Sequence, residues 1–74
     1  MDSTMINKAE YMVAFINEFA QKHSLSDVQA FKYLDRFNAI AMVVENYDIA
    51  HTLSFNDVVD GVTAFCHRNG GRLI

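Results

Sequence analysis

The sequence predicts an all-α protein: a compact bundle of four short helices that a second copy could complete. Three observations predict it. Apolar residues recur three and four apart through most of the chain, the spacing of a helix with one buried face. Proline is absent and glycine occurs only at Gly61, Gly70 and Gly71, so little interrupts a helix from within. Ser26, Asn38 and Ser54 each stand just before an apolar-periodic run, where a side-chain oxygen can cap free backbone N–H groups.

The first helix is expected from about Ser3 to Lys22. Its apolar stripe is Met5, Ile6, Ala9, Met12, Val13, Ile16, Phe19 and Ala20, with Asn7, Glu10, Asn17, Glu18 and Gln21 mostly off it. Lys22 and His23 suit the negative end of the helix dipole. Ser26-Asp27-Val28-Gln29 reads as a capping box. It starts a second helix from Asp27 to about Phe37, with Val28, Ala30, Phe31, Leu34 and Phe37 inward. Asn38 is expected to cap a third helix from Ala39 to about Ala50, with Ile40, Val43, Val44 and Tyr47 as its stripe. Its β-branched residues weaken helix propensity, but no partner strand is evident. Ser54 opens the last helix, where Phe55, Val58, Val59, Val62, Phe65 and Cys66 share a face. Asn69-Gly70-Gly71 supplies a left-handed stop. The tail Arg72-Leu73-Ile74 is expected to fray or to add a strand to a neighbour.

Size and composition restrict the function. A chain of 74 residues makes one domain, near the size at which a core needs a staple or a partner. Cys66 is the sole cysteine, so no disulfide forms within the chain, and a reducing, cytoplasmic setting is expected. The opening Met1-Asp2-Ser3-Thr4 has no basic stretch before an apolar run, unlike an export signal. The longest apolar run, Ala39 to Val44, is far short of the roughly 20 residues of a membrane span. With 51% apolar and 12% aromatic residues, more large side chains are present than a small interior shelters. The surplus predicts an exposed docking patch, and with it a protein partner and a homodimer.

The net charge of -3 has the wrong sign for sequence-independent nucleic-acid binding. A helix-turn-helix reading of the second and third helices could use Lys22, Lys32 and Arg36. The would-be recognition helix has no Lys or Arg and carries Glu45 and Asp48, which repel phosphates. Nucleic acid is therefore not the expected partner, and a nucleic-acid-binding regulator of its own operon is the alternative reading.

Few residues suggest chemistry. Tyr47 and His51 are four apart and share a helix face, with Asp48 beside them. One reading is a titratable pair. The favoured one is a helix end at which His51 donates to a late carbonyl. Asp48, His51, Asp57, Asp60 and His67 lack metal-ligand spacing, so neither metal nor cofactor is expected. Cys66 lies on an apolar stripe, where a thiol behaves as an inert small hydrophobe. Asp57 and Asp60 suit a helix start, and Gly70-Gly71 ends a helix, which is the wrong place for a phosphate loop. Gly61, inside the last helix, either admits a close backbone or sits in open solvent. No catalytic residue is expected.

Phe15-Ile16-Asn17-Glu18-Phe19-Ala20, Ala30-Phe31-Lys32-Tyr33-Leu34, Tyr47-Asp48-Ile49-Ala50-His51-Thr52-Leu53-Ser54 and Arg68-Asn69-Gly70-Gly71 together resemble a family of small bacterial helical domains of unknown function. The resemblance spans roughly residues 5 to 73, and Tyr47, His51 and Thr52 match its Tyr-x-x-x-His-Thr motif. It implies a short helical protein. Some members are similar to proteins encoded beside ADP-ribosyltransferase-like toxins, which implies an antitoxin-like or accessory binding role. It carries over no catalytic residue.

Overall fold

A computed structural model describes residues 3–71. The helices run in the order α1 (Ser3–Lys22), α2 (Asp27–Arg36), α3 (Ala39–Glu45), α4 (Tyr47–Ala50) and α5 (Phe55–Arg68). The expected all-α bundle is there, with one more helix than the spacing predicts. The side chains of Met5 and Ile6 and the tail Arg72-Leu73-Ile74 lie outside the described residues.

α1 is the long rod against which α2, α3 and α5 pack. Its buried row is Phe15, Phe19 and Ala20, flanked by half-buried Tyr11, Met12 and Ile16. The expected stripe is therefore rotated. Ala9 is exposed and Val13 is 71% exposed, while Phe15, absent from that stripe, is fully buried. Both flanks of α1 are apolar, and the aromatic row prevails. Tyr11 lies 5.2 Å from Phe55 and Phe19 lies 5.9 Å from Tyr33, centroid to centroid. Rings of that size contribute the most buried area.

α1 ends in a two-bond turn with Ser24 left-handed (φ 56°). The Leu25 N–H donates to the Ala20 carbonyl at 2.8 Å and the Ser24 N–H to Gln21 at 3.3 Å, satisfying late carbonyls. α2 then opens on the expected capping box. The Gln29 N–H donates to Ser26 Oγ (3.1 Å) and the Ser26 N–H to Gln29 Oε1 (2.9 Å). Ala30 and Leu34 are its buried residues, with Tyr33 and Phe37 half-buried. Val28 and Phe31 were expected inside but are 62% and 46% exposed. α2 is apolar around most of its circumference, so spacing alone does not select the face that α1 covers.

Two further expectations need correction. Asn38 is left-handed (φ 59°) and makes no side-chain cap. It serves as the stop of α2, a role Asn tolerates better than most residues, with its N–H donating to Asp35 at 3.1 Å. The single helix expected over Ala39 to Ala50 is broken at Asn46. That residue's Nδ2 donates to the Met42 carbonyl at 2.7 Å, competing with the backbone as short polar side chains do. The chain restarts at Tyr47 as one turn, α4.

α5 begins at Ser54, whose Oγ accepts from the Asp57 N–H at 3.2 Å. Val58, Val59, Val62 and Cys66 are buried, while Phe55 and Phe65 are only half-buried. Truncating Phe65 should thus cost less than the about 3–5 kcal/mol of a fully buried ring. The helix closes as expected, with Gly70 at φ 92°. Gly70 N–H donates to His67 and Gly71 N–H to Cys66. Among the described residues no polar or charged side chain is buried.

Candidate functional site

The site is built on α4, a helix too short to stabilise itself. Its carbonyls are closed by side chains. His51 Nδ1 lies 2.7 Å from the Tyr47 carbonyl, which only accepts, so the ring proton is assigned to Nδ1. The His51 backbone N–H donates to the same carbonyl at 2.9 Å. Thr52 Oγ1 donates to the Ile49 carbonyl at 2.6 Å, and the Leu53 N–H to Ala50 at 3.0 Å. The His51 and Tyr47 rings stack at 4.6 Å and 12°. Tyr47 in turn stands edge-on to Tyr11 at 5.4 Å, and Lys8 lies over its ring at 5.9 Å. Burial, then neighbouring Tyr47, holds the Tyr11 hydroxyl above its ordinary pKa.

The structure thus brings Tyr47, His51 and Thr52 together as a helix-end lock against α1. Asp48 is exposed, and among the described residues no hydrogen bond joins it to His51. Two apolar residues outside the predicted stripes lie within and beside the lock. Ile49 is 67% and Leu53 50% exposed, while Ala50 between them is buried.

Ile49 and Leu53 form one wall of an open groove of about 310 Å³ between α3–α4 and α5. Met42 and Asn46 continue that wall, and Asp57 and Gly61 lie opposite. Asp57 is the charged residue of the lining. Gly61 is exposed, and a Cβ built on it would meet nothing within 4 Å. Among the described residues no helix closes on Gly61, so its missing side chain widens the groove. The signal for this wall was present in the sequence: Ile49 and Leu53 are apolar, four apart, and off the core stripe.

The other candidates are dispersed. Asp60 pairs with Lys22, the last residue of α1, at 2.9 Å, whereas Asp57 lines the groove. Both partners are well exposed, so the pair contributes about 0–1 kcal/mol. Burial pushes the Cys66 thiol pKa up, with the neighbouring Tyr33 hydroxyl opposing it in part. A thiol so held is a poor nucleophile. The Tyr33 hydroxyl is buried and has no hydrogen-bond partner among the described residues. His67 is exposed at the end of α5. Among the described residues no three His, Cys, Asp or Glu side chains converge as metal ligands, and no helix is long and apolar enough to cross a membrane. What the groove can do is bury an apolar ridge beside one carboxylate.

A family model described as "Protein of unknown function (DUF3791)" matches residues 10–69, a span that includes α2 to α5 and the whole lock. No curated protein and no solved structure matches the chain.

Proposed function

The chain belongs to the DUF3791 family of proteins of unknown function, and from that premise we propose that it is a non-enzymatic protein-binding module. The groove beside the α4 lock is its docking site. The observation that carries this reading is the exposed pair Ile49 and Leu53 facing an unfilled Gly61. Large apolar side chains cost free energy in water, and a glycine there lets a partner backbone come close. A partner helix laid in such a groove buries anchors at three- and four-residue spacing. The resemblance to proteins encoded beside ADP-ribosyltransferase-like toxins supports the sharper form, an antitoxin-like or accessory partner of a neighbouring toxin-like protein in the cytoplasm.

Co-expression with the product of the neighbouring gene tests it. The tagged chain should retain that product. Gly61→Leu and Leu53→Asp should each weaken retention by about tenfold or more, with the helical circular-dichroism spectrum unchanged. Failure of the native chain to retain the product, or equal retention by both variants, would contradict the reading. The regulator alternative would show instead as a salt-dependent shift of promoter DNA.

A further inference from the structure

A second apolar surface lies on α1 and α2, apart from the groove. Val13 and Ile16 of α1 and Val28 and Phe31 of α2 line it, with Asp27 and Lys32 at its edge. Three of the four apolar side chains are among the large exposed ones of the molecule, at 71%, 62% and 46%. α1 and α2 are well-formed helices, so the patch is a feature of rigid elements. We infer that this face binds a second copy of the same chain about a twofold axis.

The argument for a second copy is the charge arrangement. A face made for an acidic or a basic partner carries charge of one sign. The lining of this one carries one carboxylate and one ammonium, both exposed, and the helical step of about 100° per residue sets them on either side of Phe31 and Val28 around α2. A twofold interface sets the same surface against itself. When the axis lies in the interface and perpendicular to the Asp27–Lys32 line, each carboxylate meets the other copy's ammonium. The apolar centre then meets its own symmetry mate. Both ion pairs form at once, and neither charge is left facing its like. Asp27 is also held in place, since Asn17 Nδ2 donates to its Oδ1 at 3.3 Å. The patch is small beside the roughly 800 Å² per partner of a standard interface. The dimer should therefore be weak, with a dissociation constant in the range of about 1–100 μM.

Sedimentation equilibrium of the purified full chain, without any partner protein, tests this directly. The native chain should pass from monomer to dimer across the micromolar range. Phe31→Asp should raise the dissociation constant by about a hundredfold. Lys32→Asp, which sets two carboxylates against each other, should raise it about tenfold. The double exchange Asp27→Lys with Lys32→Asp should restore it to within about threefold of native. A second measurement needs no variant. Carbodiimide coupling of mixed 14N- and 15N-labelled native protein should yield Asp27–Lys32 peptides of mixed isotope content. A chain monomeric at millimolar concentration, a dimer indifferent to Phe31→Asp, or coupled peptides with no isotope mixing would each overturn the inference. Because no partner is present, the outcome is separate from the fate of the groove.

Discussion

Phe15, Phe19 and Leu34 have no measurable exposure and form the centre against which α1 and α2 pack. Phe19→Ala should cost about 3–5 kcal/mol, a large share of the stability of so small a domain, and chemical denaturation will measure it. Gly71 is buried at the other end of the core. A Cβ there would lie 2.5 Å from the Tyr33 hydroxyl, 2.9 Å from the Cys66 carbonyl oxygen and 3.0 Å from the Phe37 ring. The carbonyl belongs to a closed helix end and cannot yield cheaply. Gly71→Ala should therefore destabilise by about 1–3 kcal/mol. Ser24 is the converse case, a side chain in the left-handed region where glycine is at ease. Relief of that strain outweighs the added chain entropy, so Ser24→Gly should stabilise by about 0.5 kcal/mol. His23 supplies a pH response. Its Nε2 lies 3.0 Å from Thr63 Oγ1, while that hydroxyl gives its own proton to the Val59 carbonyl. Burial first, then the nearby Lys22 and His67, lowers the His23 pKa from its ordinary 6.5, with Asp60 in partial opposition. Between the folded and unfolded pKa values the unfolded chain binds more protons. Stability should thus be level above about pH 6.5, fall as the pH drops from there toward the folded value, and level off below it. Thermal melts from pH 7.5 to 5 should show the fall in the native chain and lose most of it in His23→Gln.

Helix existence was legible in the sequence wherever a cap and a period agreed. Ser26 with Gln29, Ser54 with Asp57, and Asn69-Gly70-Gly71 all act as their chemistry requires. Helix orientation was less legible. Apolar residues surround both α1 and α2, and only packing decides that Phe15 goes inward while Val13, Val28 and Phe31 remain outside. The break at Asn46 was not legible, because a single Asn within a periodic run is compatible with an unbroken helix. What makes it a break is the side-chain bond to Met42. The lock was half legible: the His51 bond to a late carbonyl was anticipated, but the groove it shapes was not. As exposed hydrogen bonds, those of His51 and Thr52 should each contribute about 0.5–1 kcal/mol. His51→Ala and Thr52→Val should chiefly raise amide exchange within α4 and leave α5 protected. Gly61→Ala places a methyl in open space, so it should stabilise the free chain by about 1 kcal/mol. A loss of stability would mean that the helix backbone there is not as described.

The molecule as a whole is an elongated packet, 39 × 22 × 21 Å, built on one long helix and too slight to hide its apolar content. Among the described residues the large exposed apolar side chains are gathered rather than scattered. One group lies on the α1–α2 face and the other in the groove between α3–α4 and α5. Single exposed apolar residues are common on any surface, but grouped ones mark contacts. In the proposed reading, the division assigns one face to self-association and the other to a different protein. The most direct test is an amide-shift map of the 15N-labelled chain titrated with the unlabelled product of the neighbouring gene. The expected result is a saturable set of shifts confined to Met42, Asn46, Ile49, Leu53, Asp57 and Gly61 and their neighbours, with Val28 and Phe31 unmoved. Absence of any shift at saturating concentration, or shifts centred on α1 and α2, would contradict the assignment of the groove as the docking site.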